Sequence, residues 1–268
     1  MPNRRNVYLH YHPDEVTRDQ IDELSRIGGK FEFKIVKDHK DANIIVSIGG
    51  DGAFLQAVRK TGFRDDVLYA GITTPGEHRL YSDFSLQGVE QSLDTILESE
   101  IEVRRYPLID VMIDGHTSFK CLNELSIRSS NIKTFVIDVF IDNLHFETFR
   151  GDGMIIATPT GSTAYNKSIN GAVVDPLLPC MQVSELASLN NNRYRTLGSS
   201  FILSGRRALT LKLTDNNGGN DFPIIGMDNE ALGIQHIDEI KVELSDRIIK
   251  TVKLKNNSFW EKVKRTFL

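Results

Sequence analysis

An α/β N-terminal domain on a mainly parallel sheet, then an all-β, mainly antiparallel C-terminal domain, is the fold class these 268 residues predict. Three observations carry it. Strand-like and helix-like periods alternate through the first hundred or so residues. Beyond about residue 100, short alternating strands succeed one another with few helices between them. Hydrophobic residues make up 40% and charged residues 25%, which fits a folded globular chain and sets aside disorder or collagen-like character. The expected division is residues 1–100, 101–255 and a C-terminal helix, 256–268, packing on the body.

Residues 7–11 form a short apolar strand. Pro13 opens a helix whose Val16, Ile21, Leu24 and Ile27 recur at helical spacing, and Gly28-Gly29 ends it. Residues 31–36 alternate as a strand, and 43–48 form an apolar strand that stops at Gly49. A helix from Ala53 to about Lys60 and a strand at 67–72 follow. Leu86, Val89, Leu93, Ile96 and Leu97 then mark one face of a further helix. The β-rich part reads as strands at 102–113, 118–128, 134–142 and 145–149, with Asp114-Gly115 and Asp142-Asn143 as tight turns. Alternating runs at 208–214 and 239–244 flank the 216–220 turn cluster, and 248–254 is a last strand. Residues 258–268 form an amphipathic helix with Phe259, Trp260, Val263 and Phe267 on its apolar side.

The totals exclude some functions. A formal charge of −4 supplies no basic field to recruit nucleic acid or an anionic membrane. Cys121 and Cys180 have no metal-ligand or redox spacing and read as reduced thiols. No leader-like or membrane-spanning apolar stretch is expected, which points to the cytoplasm. His10 and His12 share a strand face without a third ligand, so no metal site is expected.

Four polar segments could carry chemistry. Gly49-Gly50-Asp51-Gly52 lies between a buried strand and a helix, where glycine lets backbone approach an anion and the helix offers free N–H groups. Asp51 could accept a proton from a hydroxyl, help hold a metal, or simply cap the helix. The stretch from Thr158 through Pro159, Thr160, Gly161, Ser162, Thr163, Ala164, Tyr165, Asn166 and Lys167 to Ser168 gathers hydroxyls ahead of a helix beginning near Thr163. One N-cap does not need so many, which favours a binding loop. Asn123-Glu124 interrupts an apolar strand, so one of the two faces inward and needs partners, unless the pair lies on a solvent edge. Arg150-Gly151-Asp152-Gly153 is a polar hinge able to meet phosphate and hydroxyl, or a tight turn with an internal ion pair. Neither G-x-x-x-x-G-K-[ST] nor a strand-following G-x-G-x-x-G is present.

Taken together these segments resemble the NAD kinase family over roughly residues 44–233. The glycine motif is shared with lipid kinases and phosphofructokinases, whereas Thr160-Gly161-Ser162-Thr163-Ala164-Tyr165 with the upstream Asn-Glu pair is much more specific. The resemblance implies an α/β nucleotide-binding part, and a β-rich NAD-binding part, with NAD across the crevice and between subunits of a homodimer or homotetramer. It implies that Asp51 accepts the proton of the ribose 2′-hydroxyl and that Gly49, Gly50 and Gly52 cradle the triphosphate of ATP or another donor. It implies NAD contacts from Asp51, Gly52, Tyr81, Asn123, Glu124, Arg150, Asp152, Thr163, Ala164, Tyr165, Asn166, Lys167, Ser168 and Ala187. Magnesium would accompany the triphosphate. Two departures stand out. Ala53-Phe54 replaces a common Thr-Leu, and Thr74-Pro75-Gly76-Glu77-His78-Arg79-Leu80 stands where relatives resemble T-G-H-L-G-F. A lipid or sugar kinase with the same glycine motif, and a dinucleotide sensor without chemistry, are the competing readings.

Overall fold

The computed structural model describes residues 5–74, 80–97, 102–130, 133–214, 223–233, 236–255 and 257–268. The chain forms two compact units, one of residues 1–105 with 249–268, the other of residues 106–248. It passes between them along two long strands. The last stretch of the β-rich sequence, beyond residue 248, therefore counts with the first unit.

In the first unit the elements are β1 (Asn6–Tyr11), α1 (Arg18–Lys30), β2 (Lys34–Ile35), β3 (Ile44–Ile48), α2 (Asp51–Lys60), β4 (Leu68–Thr73), β5 (Phe84–Ser85) and α3 (Val89–Leu97). Strands β2, β1, β3 and β4 run parallel in that order, with β5 also parallel beside β4. Parallel strands bury both faces, so 44–48 and 68–73 are apolar runs rather than alternations. Val16, Leu24, Ile27, Ile48, Ala70, Ile72, Phe84 and Val89 share one core. The first helix starts later than Pro13 suggests. Thr17 caps it, accepting the Gln20 N–H while the Gln20 side chain accepts the Thr17 N–H. Residues 13–16 form a turn, and Gly28-Gly29 lies inside the last helical turn.

The second unit holds most of β6 (Glu102–Ile113), then β7 (Thr117–Cys121), β8 (Glu124–Arg128), β9 (Phe135–Ile141), β10 (Leu144–Gly151) and β11 (Gly153–Ala157). The one-turn α4 (Tyr165–Ser168) precedes β12 (Cys180–Leu186), β13 (Phe201–Ser204), β14 (Leu209–Thr214), β15 (Ile224–Met227) and β16 (Glu230–Leu232), and β17 (Glu239–Lys253) leads out of the unit. Here β10, β9, β14 and β17 form one sheet, with the β6–β7 hairpin on β17, and β13, β12, β11, β8, β15 and β16 form a second, antiparallel sheet. Ile109, Leu125, Ile127, Val139, Met154, Ile156, Val183, Leu211 and Val242 fill the core between them. The end of β17 pairs with β4 in the first unit, Thr251 opposite Tyr69.

Three expectations on this part change. The strand expected at 118–128 breaks into β7 and β8, because N–H groups at residues 122–124 leave the ladder for a side chain described below. The runs 239–244 and 248–254 are one 15-residue strand, since the polar Ser245-Asp246-Arg247 interrupts the apolar alternation but not the extended backbone. The helix expected near Thr163 is a 3-10 turn at Gly161–Thr163 and then the single turn of α4. The 216–220 turn cluster lies outside the described residues.

The C-terminal helix α5 (Phe259–Phe267) is capped by Ser258 with Glu261 in a reciprocal pair. Its buried face is not the one expected. Trp260 and Phe267 are exposed, and Lys262 is the buried residue.

Candidate active site

In the first unit Gly49 leaves β3 with φ +134°, a conformation that side-chain-bearing residues rarely adopt. A Cβ there would also stand 3.0 Å from that of Ala53. The turn delivers Asp51 as the first residue of α2. Its carboxylate does not cap the helix, since no side-chain cap bond forms at α2. Instead the N–H of Leu80 donates to Oδ2 at 3.1 Å and the N–H of Tyr81 to Oδ1 at 3.0 Å. Both oxygens are thereby oriented, and each keeps a lone pair. The Tyr81 ring, 4% exposed, stacks on Phe54 of α2 with centroids 4.7 Å apart and planes at 2°. Tyr81 therefore meets the site through its backbone while its ring packs in the core. The 75–79 part of the departure from the family pattern, Arg79 included, lies outside the described residues.

Behind Leu80 and Tyr81 stands a buried charge cluster that the sequence does not announce. Asp83, 1% exposed, accepts from Arg104 at 2.7 Å, from the Asn257 amide at 2.9 Å, from the Leu254 N–H at 3.0 Å and from Lys262. Lys262 also donates to the carbonyls of Leu80 (2.8 Å) and Ser82 (3.1 Å). Burial pushes its ammonium down to about 8, against the attraction of Asp83 and Asp51. The sequence carried no local signal for it, since Lys262 lies beside the apolar stripe of that helix and not within it.

In the second unit the polar segments meet on the face of β8 turned away from the core, where Glu124, Ser126 and Arg128 alternate with Leu125 and Ile127. Asp228 organises the entry to this strand. It sits in the β15–β16 turn with φ +44° and is 3% exposed. Its carboxylate accepts the N–H groups of Leu122 (2.8 Å), Asn123 (2.6 Å) and Glu124 (3.2 Å). From the other side Thr158 donates its N–H to the Asn123 carbonyl (2.8 Å) and its hydroxyl to that of Leu122 (2.6 Å). Asp228 is the support that reading the sequence missed, whereas Thr158 was read only as the start of the hydroxyl-rich stretch and not as a brace for residues 122 and 123. Each partner is distant in the chain, and a short Met-Asp-Asn turn carries no periodic signal.

Burial first, then the Asp228 charge, pushes the Glu124 acid up to about 8, although the Tyr165 N–H donates to it. Its Oε2 is buried and has no hydrogen-bond partner. The hydroxyl-rich stretch folds over this strand. A Cβ on Gly161 would stand 2.0 Å from the Asn123 carbonyl oxygen, so only glycine permits that approach. Ser162 donates to the Pro159 carbonyl at 2.5 Å and accepts the Val174 N–H at 2.8 Å, and Thr163 donates to the Thr160 carbonyl at 3.0 Å. Tyr165 lies beneath the Arg128 guanidinium, 5.8 Å from its centroid. Asn166 is fully buried and accepts from Ser184 at 2.6 Å, so its side chain braces the loop. Ala164 is half-buried, while Lys167 and Ser168 are exposed.

Arg150, Asp152 and Ala187 lie elsewhere. Asp152 precedes β11 beside Arg128, whereas Glu124 pairs with Ala157 at the far end of that strand, so five rises, about 17 Å, separate Asp152 from Glu124. Asp152 is exposed, and its N–H donates to the Leu186 carbonyl at 2.9 Å, beside Ala187. Arg150 donates to Thr134 (3.0 Å) and to the Tyr194 hydroxyl (2.8 Å), its guanidinium 4.9 Å from that ring. No internal Arg150–Asp152 ion pair is present among the described residues. Cys121 and Cys180 are free and buried.

The model of the family described as the ATP-NAD kinase C-terminal domain matches residues 122–254. NAD kinase 2 of Bacillus licheniformis is 61% identical over 268 residues, covering 100% of both chains. NAD kinase 2 of Bacillus subtilis is 63% identical over 99% of this chain and 98% of its own. Among solved structures, an NAD kinase from Archaeoglobus fulgidus in complex with ATP superimposes with TM-score 0.77 at 22% identity, covering 97% of this chain and 98% of the other. Yeast NADH kinase complexed with NADH gives 0.81 at 18% identity, covering 98% and 87%. These two support the fold: an α/β part and a separate antiparallel β part.

Proposed function

The chain belongs to the NAD kinase family and phosphorylates NAD, and from that premise we propose that Asp51 takes the proton of the adenosine-ribose 2′-hydroxyl as that oxygen attacks the terminal phosphorus of ATP. The new oxygen–phosphorus bond gives NADP. The bond from that phosphorus to the bridging oxygen breaks, and the electron pair leaves with ADP. The observation that carries this reading is the Asp51 carboxylate at the head of α2, held through both oxygens by backbone N–H groups. A base held this way meets a hydroxyl in one orientation. The backbone of residues 49–52 and the positive end of α2 would hold the triphosphate. Magnesium would be carried on the phosphates, where it neutralises charge.

Asn123 and Glu124 would hold ribose and adenine-side groups, under the loop from Thr163 to Ser168. Glu124, with its acid at about 8, stays protonated at neutral pH and brings no second negative charge to a phosphorylated product. Arg150, Asp152 and Ala187 would serve the nicotinamide end. Their separation from Glu124 by the length of β11 supports a homo-oligomer in which a second copy presents them. The buried, unpaired thiols support a reducing compartment, the cytoplasm.

The test is NADP formation from NAD, ATP and magnesium by the wild-type protein and by Asp51→Asn. The variant is expected to lose about two to four orders of magnitude in kcat while still binding NAD. Turnover at the wild-type rate would refute the proton-acceptor role, and NAD binding without NADP from either protein would select a sensor.

A further inference from the structure

Lys262 is the only described residue of α5 that is buried, at 0% exposure, on a helix otherwise suited to dock through apolar groups. Docking does not need its charge. Asp83 already has Arg104, the Asn257 amide and the Leu254 N–H. With Lys262 added, two cations share one carboxylate in a buried place, which is unfavourable unless another anion lies near. Asp51 supplies it: the ammonium and that carboxylate attract one another, and Asp83, Arg104, Lys262 and Asp51 balance two against two. Leu80 joins them directly. Its N–H donates to Asp51 and its carbonyl accepts from Lys262, while Ser82 accepts a second Lys262 bond on the far side of Tyr81.

We propose that Lys262 is a positioning residue for Asp51: it grips the backbone of residues 80–83 from behind so that the Leu80 and Tyr81 N–H groups hold the carboxylate in the orientation that receives the ribose proton. On this account one side chain of the C-terminal helix, Lys262, supports phosphoryl transfer, while the rest of the helix covers the first unit. The inference rests on the reading of Asp51 as proton acceptor. A small misplacement of an oriented group can lower a rate by about a hundredfold, and losing one of several supports by less.

Steady-state kinetics with NAD and ATP, with melting temperatures, on Lys262→Met, Ser258→Ala and Asp51→Asn test it. Lys262→Met keeps most of the apolar length of the side chain, removes its charge and leaves Asp83 paired with Arg104. Its kcat should fall by about tenfold with the KM for NAD within about twofold of wild type. Ser258→Ala loosens the same helix through its cap yet keeps the amine, so it should melt earlier with kcat unchanged. Wild-type kcat in Lys262→Met would overturn the proposal. Equal kcat losses in both helix variants at equal melting temperatures would do so too, since they mark a purely structural role. If Lys262→Met does not fold, the paired Asp83→Asn/Lys262→Met variant removes the buried Lys262–Asp83 ion pair as a unit and is judged by the same kcat–KM split. Loss of turnover in Asp51→Asn alone confines a failure to Lys262, and retained turnover there removes the premise itself.

Discussion

At the scale of single residues, the chemistry of this chain is set by carboxyl groups whose surroundings differ. Asp51 meets two backbone N–H groups, Asp228 meets three, and Glu124 keeps one buried oxygen without a partner. Replacing Asp228 by Asn turns one acceptor into an amide NH2, a donor facing the donors of residues 122–124. That mismatch should cost about 1–3 kcal/mol, and melting should fall by roughly 2–4 °C for each kcal/mol. A pH prediction follows from Glu124 and from Glu147. Burial raises the latter to about 7, with Glu185 adding to the rise against the pull of the Leu197 N–H. Both are raised above their unfolded value, so the folded chain keeps protons that the unfolded chain has released. Their contribution to stability is complete below about pH 4.5 and lost as pH rises through about 7 for Glu147 and about 8 for Glu124. Denaturation between pH 5 and 8 should show stability falling in wild type and a shallower fall in Glu124→Gln and Glu147→Gln. An unchanged slope in both variants would show that other groups titrate there.

At the scale of elements, what was legible in the sequence is what neighbouring residues decide. The β6 bounds follow from an alternation broken once, at Leu108-Ile109, and the glycine turn before α2 follows from four adjacent residues. No alternation marks the strand β11 in the sequence, since all five of its residues are buried. The break between β7 and β8 could not be read locally, because the acceptor that diverts those N–H groups lies 104–106 residues away. Lys262 is likewise 180 residues from Ser82. Of the site, the Asn-Glu pair, the hydroxyl stretch and the glycine motif were legible, whereas the side chains that fix their geometry were not. The approach of the hydroxyl stretch to β8 yields a sharp test. In Gly161→Ala the new methyl meets backbone rather than a movable side chain, so strand and loop must separate. Overpacking of this kind costs about 1–3 kcal/mol or more, and NAD affinity should drop with melting temperature. Wild-type affinity in that variant would mean the loop does not need its closeness to Asn123 to bind.

At the scale of the whole molecule, each unit closes its own core and carries its own share of the machinery: Asp51 and the glycine turn in one, the Glu124 strand and hydroxyl loop in the other. A ligand that binds only the folded state suppresses local opening where it is held. The two shares can therefore be separated by hydrogen exchange with one substrate at a time. NAD alone should slow exchange at residues 122–128 and 158–168, and magnesium with a non-hydrolysable triphosphate should slow it at 49–54. Asp51→Asn should keep the NAD pattern, because the substitution removes a proton acceptor and leaves the second unit untouched. The assignment of the dinucleotide to the β-rich unit fails if NAD leaves 158–168 exchanging at its free rate. Protection by NAD at 122–128 and 158–168 together, with none at β9 or β10 in the other sheet, separates a held ligand from a general rise in stability. A rise of that kind would slow exchange throughout the unit, and a local pattern is what a buried Glu124 under a tight loop requires.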